Sequence, residues 1–265
     1  MFTLNDLVQP ETIEDAYQIL VARKNNTVLG GCAFLRMGSQ RFSAAVDLTK
    51  LGLNYIQEQD EYIEIGAMAT FRDVEVHPGL LRLANGILPQ AVGNVLGVQF
   101  RNVVTIGASV YSRYGFSDLI TALLALETEI ELYKGGRMSL AEFLDRPRDK
   151  DILTKIIIKK NMCKASYQSL RMSASDYPVL NVAVSNTDGK WTVAVGARPR
   201  RAAIAKMLSK ELSQKEVNSD NVDFFANIAV EELAFGTNAR GTAEYRKAMC
   251  KVLIKRAIKE VLQCK

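Results

Sequence analysis

Two short stretches of the chain place glycine where a backbone can approach an anion. One is Thr27-Val28-Leu29-Gly30-Gly31-Cys32-Ala33-Phe34-Leu35, the other Val104-Thr105-Ile106-Gly107-Ala108-Ser109. Each follows β-branched residues that read as a strand. Glycine, lacking a Cβ, lets successive N–H groups turn inward around a phosphate. Neither stretch is GxGxxG or GxxxxGKS/T, so both the dinucleotide fingerprint and the P-loop are poorly supported. The chemistry left to them is a nucleotide-phosphate cradle of another kind; the competing reading of each is a tight turn.

The remaining reactive side chains narrow the field. There is one histidine, His77, so most histidine-dependent chemistry is removed, and a Ser-His-Asp triad would have to use that residue. Cys32, Cys163, Cys250 and Cys264 are widely separated and form no CxxC, which argues against a structural zinc or an iron–sulfur cluster held by this chain. Reduced thiols in a cytoplasmic protein are expected. Of the 265 residues 48% are hydrophobic and 24% charged, an ordinary globular usage. The net charge of +5 is spread along the chain, with no basic stripe interleaved with aromatics for a nucleic acid. The start, MFTLNDLVQPETIEDAYQIL, lacks the basic and apolar regions of a signal peptide, and no apolar run suits a membrane span.

The elements that must position these residues read as a mixed α+β chain. A helix opens at Glu11–Asp15 with Ile13, Ala16, Ile19 and Leu20 on one face. Strands are expected at 27–29, 43–49, 62–68 and 103–106, a helix over 79–96, and another from Ser117 to Leu126 with Ser117 or Asp118 as its cap. A hairpin follows over 129–140, turning at Gly135-Gly136. The polar run Asp145–Asp151 marks a domain boundary. Beyond it come strands at 153–158, 180–185 and 191–195, then helices near 201–212, 222–235 and 242–262. The last has one wide apolar face, with Arg246, Lys247, Lys251, Lys255 and Lys259 opposite as a solvated face.

Gln99-Phe100-Arg101-Asn102-Val103-Val104-Thr105-Ile106-Gly107-Ala108-Ser109 resembles the Q-I-R-N-x-A-T-I-G-G-N stretch of the FAD-binding subunits of molybdenum hydroxylases, the xanthine dehydrogenase and carbon monoxide dehydrogenase family. Ser117-Asp118-Leu119 through Leu126 resembles the family's S-D-L…L-L-A-L helix, the first glycine loop its A-G-G-T-D-L segment, and Ile65–Met68 its I-G-A strand. Farther on, Asp176-Tyr177-Pro178-Val179 with Val182–Val184, and Arg240-Gly241-Thr242-Ala243-Glu244-Tyr245-Arg246, resemble its D-[FIL]-[PA]…V-A-V and R-G-S-A-x-Y-R segments. These likenesses run in the family's order from about residue 11 to 260.

The resemblance implies a vanillyl-alcohol-oxidase-type FAD-binding unit over 1–148, made of two small α+β subdomains (about 1–55 and 56–148). A C-terminal α/β domain of the carbon monoxide dehydrogenase flavoprotein type would follow over 152–265. It implies an oxidoreductase subunit that passes electrons from 2Fe–2S clusters on a small subunit through FAD to NAD or another acceptor. The organic substrate would be oxidised at a molybdopterin centre on a large subunit, so this chain alone would be inactive towards it. Neither a nucleic acid nor a membrane is an expected partner.

Residue by residue, the likeness assigns Val28, Leu29, Gly30, Gly31, Cys32, Ala33, Phe34 and Leu35 to the FAD pyrophosphate. Thr105, Gly107, Ala108 and Ser109 form a second wall, Tyr111 runs beside the isoalloxazine, and Asp118 accepts from a cofactor hydroxyl. Gly31 and Gly107 would leave room for the pyrophosphate. Three departures stand out: Cys32-Ala33 in place of a Thr/Ser-Asp pair, Ala108 in place of a second glycine, and Gln168 where several members carry a lysine near the flavin. An alanine forced to positive φ at 108 would cost about 1 kcal/mol. The departures imply an alternative, a flavin-subunit homologue with a weakened site acting as a structural or assembly component.

Overall fold

A computed structural model describes residues 1–218 and 220–264. The chain opens with β1 (Thr3–Val8), α1 (Ile13–Ala22), β2 (Thr27–Leu29) and β3 (Arg41–Asp47). These strands form a parallel sheet in the order β1-β3-β2. Thr12 caps α1 by accepting from the Asp15 N–H, and the helix buries Ala16 and Leu20 against Val46 and Leu48.

A five-stranded antiparallel sheet follows. It receives β4 (Ile56–Glu58) and β5 (Tyr62–Gly66), then helices α2 (Phe71–Val76), α3 (Pro78–Arg82), α4 (Ile87–Gly93), α5 (Val98–Arg101), α6 (Ile106–Ser112) and α7 (Asp118–Ala125). The chain returns through β6 (Thr128–Leu132), β7 (Gly136–Ser139), α8 (Leu140–Asp145) and β8 (Leu153–Lys159), giving the order β4-β5-β8-β6-β7.

Three expectations change here. The helix expected over 79–96 is broken, because Ala84, Asn85 and Gly86 all adopt left-handed backbone between α3 and α4. The strand expected at 103–106 is not one: Thr105 makes only an isolated bridge to Thr70 and then caps α6, so Gly107 lies inside a helix. Strand β8, expected to open the C-terminal domain, instead pairs with β5 and β6 in the middle of this sheet. The break between sheets therefore falls after Lys159, not in the polar run at 145–151.

The last sheet is antiparallel, ordered β12-β11-β10-β9, from β9 (Cys163–Arg171), β10 (Pro178–Thr187), β11 (Lys190–Gly196) and β12 (Ala203–Ile204). Helices α9 (Lys206–Gln214), α10 (Val222–Glu232) and α11 (Ala243–Gln263) complete the chain. Alternation along β10 serves two cores. Leu180, Val182 and Val184 pack with the three last helices, while Ala183 joins the core that contains α7. Arg246, expected on the solvated face of α11, is 1% exposed instead. Its guanidinium donates to the carbonyls of Val179, Gly236 and Gly241 and to Asn238 Oδ1 at 2.7–2.9 Å.

Candidate functional site

Strand β2 ends at Leu29 and delivers the Gly30–Leu35 loop to the side of a cleft of about 310 Å³. Left-handed backbone at Gly31 (φ 70°) and Cys32 (φ 55°) bends that loop sharply. Among the described residues the N–H groups of Gly31, Cys32, Ala33 and Phe34 meet no protein acceptor, although Ala33 is 8% exposed. Backbone donors in such a place call for an acceptor from outside the fold. That is a fit to an anionic group such as a diphosphate.

The facing wall is the first part of α6, where Thr105, Gly107, Ala108, Ser109, Tyr111 and Ser112 line the cleft. Its amides are already spent. The Ile106 and Gly107 N–H groups donate to Ala69 and Ala67 carbonyls at 2.9 and 2.8 Å, and Ala108 N–H turns to Thr105 Oγ1 at 3.4 Å. This wall therefore offers hydroxyls, not an amide nest. Ala108 has helical, not positive, φ, so the strain expected of an alanine there does not exist. It packs directly onto Gly30, joining the two walls.

The two glycines expected to make room for a cofactor have another reason. A Cβ at Gly31 would fall 1.7 Å from the Val103 carbonyl oxygen, and one at Gly107 would fall 2.6 Å from Ala67 Cβ. Both are required by close approach of the protein to itself.

Tyr111 reaches the cleft, but its hydroxyl is engaged, donating to the Asp149 carbonyl and accepting from Asp151 N–H at 3.0 Å. Burial raises its pKa. Val28, Leu29, Gly30, Cys32, Ala33, Phe34 and Leu35 line the cleft, whereas Gly31 does not. Asp118 does not. It borders a smaller adjoining cavity of about 60 Å³ that shares Phe34, Val104, Ser109 and Tyr114 with the cleft. Its Oδ1 accepts from the Tyr167 hydroxyl and from Arg171 at 2.6 Å. Gln168 is not brought to the site either: its amide donates to Glu260 on α11 at 2.7 Å.

Several residues at the site carried no local signal. Lys150 and Asp151 line the cleft floor, yet their polarity in Asp145–Asp151 reads as linker. Tyr114 stands at the rim in a ring cluster with Phe34, Phe116 and Tyr177, with centroids 4.5–6.0 Å apart. Asn26, legible only as a turn, ties α1 to β3: its amide donates to the Ile19 carbonyl at 2.6 Å and accepts from Ala44 N–H.

Residues 2–160 match the FAD binding domain in molybdopterin dehydrogenase, and residues 165–261 match the CO dehydrogenase flavoprotein C-terminal domain. The chain belongs to this FAD-binding family. It is an oxidoreductase subunit, and the family's cofactor is FAD. It is 27% identical over 259 residues to the protein YgfM of Escherichia coli (strain K12), covering 95% of this chain and 94% of that one. To the nicotine 6-hydroxylase medium subunit of Paenarthrobacter nicotinovorans it is 24% identical over 269 residues, covering 95% of each. The fold matches that of a chain of the reconstituted CO dehydrogenase from Oligotropha carboxidovorans with a TM-score of 0.88 at 22% identity, covering 97% of this chain and 96% of that one. No described helix is long and apolar enough to cross a membrane.

Proposed function

We propose that this chain is the FAD-carrying electron-transfer subunit of a molybdenum hydroxylase, assembled with a molybdopterin-binding large subunit and a 2Fe–2S small subunit, with NAD or another acceptor downstream. The observation that carries this reading is the run of unpartnered N–H groups at Cys32–Phe34 in the cleft wall. Within the cleft this run takes the diphosphate, Ser109 and Ser112 supply hydroxyls, and the tilted Phe34 and Tyr114 rings give an aromatic contact. Bound FAD supplies the exchange between two-electron and one-electron transfer. Relatives that are the medium subunit of a nicotine 6-hydroxylase and the medium chain of a glyceraldehyde dehydrogenase support the assembly.

Cys32 and Ala33 favour a second reading. They offer a thiol and a methyl group where a hydroxyl and a carboxylate are expected, and on this reading the cleft is a poor holder in a structural subunit.

Titration of the purified chain with FAD separates the two. The first reading expects about one FAD per chain and loss of uptake in Ser109→Trp, whose ring fills the cleft, with the thermal melt intact. A colourless chain that refuses added FAD supports the second, and Ser109→Trp binding like wild type removes the cleft from consideration.

A further inference from the structure

Helix α1 ends against the cleft. The last carbonyls of a helix carry the negative end of its dipole, and they need donors. No basic residue lies in the last turn of α1. The donors come from far along the chain. Lys150 Nζ donates to the carbonyls of Leu20 at 3.0 Å, Arg23 at 2.6 Å and Asn26 at 3.1 Å. Leu20, Asn26 and Lys150 all line the cleft, and among the described lining residues Lys150 is the only basic one. The lining acid, Asp151, is taken up by the N–H groups of Lys134, Gly135 and Ile152 at 2.7–3.1 Å.

Three carbonyls use all three ammonium protons, so Lys150 has none left for a phosphate oxygen. Its effect is indirect and has two parts. Asn26 leads through β2 directly into the Gly30–Leu35 loop, so the grip on the Asn26 carbonyl sets where that loop begins. The positive charge also covers what would otherwise be a bare negative helix end beside an anionic ligand, the arrangement that helix electrostatics disfavours.

We propose that Lys150 is a positioning residue for the cofactor diphosphate, holding the entry to the Gly30–Leu35 loop and neutralising the end of α1 that faces the ligand. The proposal rests on the cleft being the FAD site.

The test titrates flavin-stripped full-length chain with FAD and, separately, with riboflavin, which has no phosphate, comparing wild type, K150R and K150Q. Melts of the flavin-free proteins run alongside. K150Q is expected to weaken FAD about tenfold, equivalent to roughly 1.4 kcal/mol, with riboflavin changed far less, and K150R, which keeps the charge, is expected to restore most of the affinity. K150Q binding FAD as tightly as wild type overturns the proposal, as does an equal loss for FAD and riboflavin, which would make the lysine a general helix cap. A wild-type chain that takes up no FAD overturns the cleft reading itself, and this proposal with it.

Discussion

Cys32 holds φ 55° in the loop that lines the cleft, a conformation that costs an L-residue roughly 1–2 kcal/mol. Burial is the main cause that raises its thiol pKa, the Asp47 carboxylate adds to it, and the Gly30 N–H opposes both. Cys250 sits deeper, at 0% exposure, and burial pushes it up to about 12. Only a thiolate alkylates readily. Iodoacetamide at pH 8 is therefore expected to leave Cys250 unmodified in the native chain and to label Cys32 slowly. Saturating FAD is expected to protect Cys32 while Cys264, the C-cap of α11 and not part of the cleft lining, labels as before. Peptide mass mapping checks this; Cys32 labelled at the same rate with and without FAD would place the cofactor elsewhere.

At the scale of elements, α6 shows how a local reading fails. Val103, Val104, Thr105 and Ile106 are β-branched, and such a run prefers a strand. The end of β5 offers it something else: the carbonyls of Ala67 and Ala69 accept from Gly107 and Ile106, and Phe71 N–H donates back to Val104. With those pairings made, the chain turns helical at Thr105, whose hydroxyl caps it. Gly107 then lies so close to Ala67 that only a hydrogen fits. Gly107→Ala is expected to lower stability by about 1–3 kcal/mol through overpacking, in flavin-free and FAD-loaded protein alike. Urea unfolding of both forms measures it. An unchanged midpoint with FAD binding lost would return this glycine to the cofactor.

At the scale of the molecule, one buried carboxylate ties helix α7 to the last sheet. Asp118 begins α7 and is 5% exposed, and it accepts from Arg171 and Tyr167 on β9. Arg171 continues the chain of contacts to the Asp176 carbonyl at 2.7 Å, and Asp176 Oδ1 accepts from Arg240 at 3.0 Å. Thr121 donates to Asn181 on β10 at 2.9 Å beside it. Burial and the Asp118 charge hold the Tyr167 phenol well above its ordinary pKa, so it stays a donor. Removing one member of a buried ion pair leaves the other unpaired and costs about 3–5 kcal/mol. Asp118→Ala is expected to lose that much in denaturant titrations, with or without FAD. A loss seen only in the FAD-loaded form would instead make Asp118 a cofactor ligand.

Much of this protein is legible without its structure, because periodicity and caps are local. The face of α1, the central part of the apolar face of α11, the Ser117 cap, the hairpin turning at Gly135-Gly136 and the loop after β2 follow from neighbours a few residues apart. Family membership was legible too, since motifs in a fixed order survive in sequence even at low identity. Folding decided what the motifs do. Whether an amide in a glycine stretch is free depends on which carbonyl faces it, so the first stretch keeps its donors and the second spends them on Ala67 and Ala69. Asp118 reads as a helix cap or a cofactor acceptor until Tyr167 and Arg171 on β9 engage it, and Arg246 reads as a solvated charge until the carbonyls of 179, 236 and 241 surround it. Lys150 joins the cleft because β8 runs between β5 and β6, a pairing between residues about ninety positions apart that no local pattern encodes.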